Sequence, residues 1–124
     1  MLQDEFLFSA VLRKHLVGEA DISIDEVYEV LEVVGLGPLV ARLPFGLQAL
    51  ADSIRFSQGE VRRILLARAL LRKPRFLVLD EALGSFERER FGPLFAAIRR
   101  YGASCMVVSH DREILSFVDQ CIEM

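Results

Sequence analysis

Apolar residues recur at helical spacing in the first half of this chain and gather into short continuous runs in the second. Ser9 precedes Val11, Leu12 and Leu16, and Gly18 closes the segment, which predicts a short helix over 10–17. Ser23 with Glu26 three residues on is a capping box, and Ile24, Val27, Val30, Leu31 and Val34 continue at helical spacing until Gly35, predicting a helix over 24–34. A further short helix is expected over 36–42, and Leu43-Pro44-Phe45-Gly46-Leu47 reads as a turn. Ser57 with Glu60 repeats the box. Val61, Ile64, Leu65, Arg68 and Leu71 then follow in a helix over 58–72 that Pro74 cannot continue.

The pattern changes at Arg75. Residues 75–80 form a continuous apolar run, which predicts a strand covered on both faces in a parallel sheet, and 103–108 form a second. Between them Phe91, Leu94, Phe95 and Ile98 mark a helix that either kinks at Gly92-Pro93 or begins at Pro93. Asp111 is placed to cap a last helix through about Val118, and 120–124 begin a final strand. Core packing is expected for Phe76, Phe91 and Phe95. The expectation is an α/β chain, mostly helical over about 4–56, followed over about 57–124 by βαβ units of a parallel sheet. In such units ligands sit beyond the carboxyl ends of the strands.

Composition narrows the partners. At 124 residues the chain suits one domain, and its net charge of −3 disfavours a nucleic-acid binder, which needs clustered Lys and Arg. Residues 1–56 carry 4 basic and 9 acidic side chains, net −5, and 57–124 carry 11 and 9, net +2. The basic share at Arg62, Arg63, Arg68, Arg72, Lys73 and Arg75 reads as a solvated helix face. No apolar run reaches the ~18 residues of a membrane helix, so direct membrane insertion is not expected. Cys105 and Cys121 lack metal-type spacing and read as small buried hydrophobes in a reducing compartment. An apolar fraction of 52% is high for so small a chain and implies apolar surface meant for a partner.

The chemistry gathers at a few positions. Phe76-Leu77-Val78-Leu79 ends in Asp80-Glu81, and adjacent carboxylates at a strand end suit phosphate-bond hydrolysis: one can hold Mg²⁺ while the next orients or deprotonates water. Ser57 and Gly59 open a helix, where N–H groups and the positive dipole end favour an anion. Taken singly, each has a plain structural reading: the Ser57 turn as a helix cap, Asp80-Glu81 as a polar strand end, His110 as a structural histidine. Gln3 alone carries no meaning.

Taken together and in order, these pieces resemble the nucleotide-binding domain of ATP-binding cassette (ABC) transporters over nearly the whole chain. Phe56-Ser57-Gln58-Gly59-Glu60-Val61-Arg62-Arg63 is similar to the family's signature, usually Leu-Ser-Gly-Gly-Gln. Phe76–Glu81 is similar to Walker B plus the catalytic glutamate, His110 to the switch histidine, and Gln3 to the Q-loop of exporter-type members. Leu43-Pro44-Phe45-Gly46-Leu47 also looks exporter-like. The resemblance implies a partial P-loop NTPase fold with Glu81 and His110 catalytic. It implies that Ser57, Gln58, Gly59 and Glu60 meet the γ-phosphate of ATP held by an opposing domain. Asp80 and Gln3 would meet Mg²⁺, directly or through water. Implied partners are a second nucleotide-binding domain and a transmembrane domain, at the cytoplasmic face of a membrane.

The departures from the pattern are specific. Gln58 replaces a glycine and Glu60 a glutamine of the signature, while Leu83-Gly84 and Phe86-Glu87 depart from the D-loop. A Walker A loop needs Gly-Lys-Ser/Thr, but the only lysines, Lys14 and Lys73, each follow an arginine. The chain is therefore expected neither to bind ATP and Mg²⁺ tightly nor to turn ATP over alone. Two alternatives are a free-standing regulatory module without enzymatic activity and the C-terminal lobe of a DNA-repair ATPase. Intact Glu81 and His110 weigh against the first. The second lacks the long heptad coiled coil it should follow.

Overall fold

The computed structural model describes residues 12–18, 21–43, 45–49, 55–80, 86–109 and 112–120. They fall into two compact units, Met1–Arg72 and Lys73–Met124.

The first unit is helical. Helix α1 (Leu12–Val17) buries Leu12, Leu16 and Val17, and Gly18, at φ 61, ends it. Helix α2 (Ile24–Val34) begins where the Ser23 hydroxyl accepts a hydrogen bond from the Glu26 N–H at 3.2 Å. It stops at Gly35, whose φ of 82 is a left-handed conformation that glycine adopts without a Cβ penalty; the next N–H, of Leu36, closes back on the Leu31 carbonyl at 2.8 Å. Val27, Val30, Leu31 and Val34 form its buried stripe, whereas Ile24 lies at its exposed end. Helix α3 (Gly37–Arg42) follows, anchored by buried Leu39 and Val40. The expected turn contains a single 3₁₀ turn, Gly46–Gln48, tied to α1 by the bond from the Leu12 N–H to the Ala49 carbonyl at 2.8 Å.

Helix α4 (Gln58–Leu71) packs against both α1 and α2. Because it meets two helices, its buried residues, Val61, Ile64, Leu66, Ala67, Leu70 and Leu71, spread over a wider arc than one amphipathic stripe. Ile64 and Ala67 are fully enclosed.

The second unit is a strand–helix–strand unit. Strands β1 (Phe76–Asp80) and β2 (Ser104–Val108) pair in parallel, Phe76 opposite Ser104 and Asp80 opposite Val108. After a 3₁₀ turn, Arg88–Arg90, helix α5 runs Phe91–Arg100. It begins at Phe91, before Gly92-Pro93, which resolves the two starts left open by the sequence: Pro93 sits in the first turn, where a missing N–H costs no helical bond. The segment 112–117 is a 3₁₀ helix, Arg112–Phe117, pinned to α5. The Phe117 ring stacks on Phe95 at 5.6 Å and meets Phe91 edge-on at 6.2 Å, and Arg99 donates to the Phe117 carbonyl at 2.7 Å. Asp111 lies outside the described residues, and of the expected final strand over 120–124 only Gln120 is described, without regular structure.

One expectation is overturned here. The strands are not covered on both faces. Leu77 and Leu79 are buried, but on the opposite face Phe76 is 59% exposed, Val78 49%, Met106 50% and Val108 45%. Phe76 is therefore not a core residue, unlike Phe91 and Phe95, because side chains alternate along a strand and Phe76 falls on the uncovered face. An open apolar face of this kind drives association. Gel filtration of the isolated chain should show self-association that Val78→Lys reduces without changing the circular dichroism spectrum. Equal association of wild type and variant would clear this face of that role.

Candidate functional site

The start of α4 carries four of the residues singled out in the sequence. Ser57 precedes the helix in extended conformation, with φ −69 and ψ 163. Its hydroxyl accepts from the Glu60 N–H at 3.1 Å, and the Glu60 carboxylate accepts from the Ser57 N–H at 2.9 Å. This closed capping box consumes two of the N–H groups that a helix start leaves without helical partners. The first bond of the helix proper joins the Val61 N–H to the Ser57 carbonyl at 3.0 Å. The N–H groups of Gln58 and Gly59 remain, at the positive end of a helix of 14 residues. Ser57 and Gln58 are exposed and Gly59 and Glu60 half-buried, so the end can be approached from outside. Because the Ser57 oxygen is used as an acceptor, its hydroxyl proton remains available to an anion. Two backbone donors, one hydroxyl donor and a helix dipole together suit a phosphate-type oxyanion.

Glu60 has a further contact that no sequence spacing announces. Its second carboxylate oxygen lies 3.4 Å from Nη2 of Arg42, the last residue of α3, 18 positions earlier. The two residues stand 18 positions apart on different helices, so the fold and not local spacing brings them together.

The carboxylate end of β1 is placed by backbone alone. Asp80 ends β1 directly opposite Val108, so the chain leaves both strands at one edge of the sheet. The Asp80 side chain and residues Gln3, Glu81 and His110 lie outside the described residues. Among the described residues no group of three or more His, Cys, Asp and Glu could hold a metal ion. Cys105 is a half-buried free thiol whose pKa burial raises, which keeps it protonated at neutral pH. Glu87, of the expected D-loop, is exposed and lies 3.9 Å from Arg90, while its neighbour Phe86 is buried.

Residues 2–84 match the ABC transporter family. Over 127 aligned positions, spanning all of this chain and 18% of the relative, it is 31% identical to the Escherichia coli protein named "Probable microcin-H47 secretion/processing ATP-binding protein MchF". It is 34% identical to human ATP-binding cassette sub-family C member 3, over 94% of this chain and 8% of the relative. It is 28% identical to the mating factor M secretion protein mam1 of Schizosaccharomyces pombe, over 98% of this chain and 9% of the relative. The chain thus spans less than a fifth of the length of each of these relatives.

Proposed function

This chain belongs to the ABC transporter family, and from that premise we propose that its residues form the helical part and C-terminal catalytic part of an ATPase that powers export across a membrane. The observation that carries the reading is the start of α4, where a closed capping box occupies the Ser57 and Glu60 N–H groups and leaves the Gln58 and Gly59 N–H groups outside it, on residues that are exposed and half-buried. In this reading the donors receive the γ-phosphate of ATP held by an opposing nucleotide-binding domain. Relatives with secretion in their names support export as the process driven.

In its own domain Asp80, at the end of β1, would hold Mg²⁺ with Gln3, and Glu81 beside it would orient and deprotonate the attacking water. Bound Mg²⁺ would neutralise charge on the transferring phosphate. His110, beyond β2, would donate a hydrogen bond to the γ-phosphate and report its presence. The sequence holds no Gly-Lys-Ser/Thr triplet, so in this reading another segment would grip the other phosphates. Among the described residues no helix is long and apolar enough to cross a membrane, and a transmembrane partner domain would supply the path.

Ser57→Arg tests the reading. The larger cation fills the helix start and breaks the capping box, and in the complete transporter it should abolish ATP-driven dimer closure while its own domain still binds ATP. Closure and phosphate release at the wild-type level would remove the α4 start from the nucleotide site.

A further inference from the structure

We propose that Arg42 is a positioning residue for the nucleotide-facing end of α4: it holds the second oxygen of the Glu60 carboxylate and offsets its charge beside the incoming phosphate. The inference rests on the reading of the α4 start as the γ-phosphate site.

The problem it addresses is electrostatic. Glu60 stands where the resembling signature carries a neutral glutamine. A carboxylate in the first turn suits the helix dipole, but it places a negative charge within about one helical turn, roughly 5 Å, of the Gln58 and Gly59 N–H groups. An anion arriving at those donors would meet a like charge. A glutamine could close the same capping box without that repulsion.

The structure supplies the compensation. One Glu60 oxygen is held by the Ser57 N–H at 2.9 Å and the other by Arg42 at 3.4 Å. Both oxygens are thus engaged by the chain itself. Arg42 is held in place from beneath: Leu39 and Val40 are buried, and the Leu43 N–H closes back on the Val40 carbonyl at 3.2 Å. Its side chain is 70% exposed against 24% for Glu60, so the bridge is solvent-screened and adds little to folding stability. Its effect falls instead on the charge that the helix start presents to a phosphate.

The test is a double-mutant cycle in the complete ATPase, reading KM for ATP, kcat and melting temperature. Arg42→Met keeps the side-chain stem and removes the cation. It should raise KM about three- to tenfold, with the change falling on KM rather than kcat and the melting temperature preserved, as expected for a partly screened charge. Arg42→Lys should restore most of the affinity. In a Glu60→Gln background Arg42→Met should have no effect on KM. An equal loss in both backgrounds would overturn the proposal, because Arg42 would then act without Glu60. So would an unchanged KM in Arg42→Met while Ser57→Arg still abolishes closure, and that outcome would leave the signature reading standing. Wild-type closure in Ser57→Arg would overturn both.

Discussion

Glu81→Gln in the complete transporter should lower ATP turnover by about 10²- to 10⁴-fold, the usual contribution of a positioned general base, while ATP binding and dimer closure persist. The substitution is nearly isosteric. It keeps a hydrogen-bonding group for water but cannot accept its proton. Asp80 ends β1 level with the end of β2, and Glu81 is the next residue in sequence, which is the basis of the role proposed for it. With the γ-phosphate left intact between the two proposed domains, the variant should accumulate as a closed, ATP-loaded dimer. Gel filtration with ATP would show the dimer, and phosphate release would show the block. Near-normal hydrolysis would remove Glu81 from the role assigned to it.

Phe91→Ala should destabilise the second unit by about 3–5 kcal/mol, the range for removing a buried aromatic side chain. Phe91 is 1% exposed at the first turn of α5, with the Phe117 ring edge-on at 6.2 Å. Truncation would leave a cavity and deprive Phe117 of its edge-on aromatic contact. Against a total stability of about 5–15 kcal/mol for an ordinary domain, the loss is enough to unfold a marginal one. Denaturant melts of the variant chain, followed by circular dichroism, measure it. Phe76→Ala, on the open sheet face, should change stability by only about 0.5 kcal/mol, as surface substitutions do. A Phe76→Ala loss as large as that of Phe91→Ala would mean that the face is covered.

These two phenylalanines mark where sequence reasoning stops. Both were expected in the core, but a continuous run such as Phe76-Leu77-Val78-Leu79 has no polar alternation to tell one sheet face from the other. The high apolar content led to an expectation of exposed apolar surface, and Phe76, Val78, Met106 and Val108 are exposed on one sheet face. The last helix was legible as a helix but not as a 3₁₀ helix, and the contacts of the Phe117 ring and carbonyl with α5 link residues far apart in sequence.

What the sequence determined by itself is whatever depends on neighbours a few residues apart. The limits 24–34 of α2, the closed box of Ser57 and Glu60, and the two strands flanking α5 all rest on local hydrogen bonds and on spacing along one chain segment. The signature order was legible for the same reason. Tertiary structure alone decided that α4 packs on two helices, that one sheet face stays open, and that Arg42 meets Glu60 across 18 residues. Those outcomes depend on how elements stack, and the spacing of residues within each element carries no record of that.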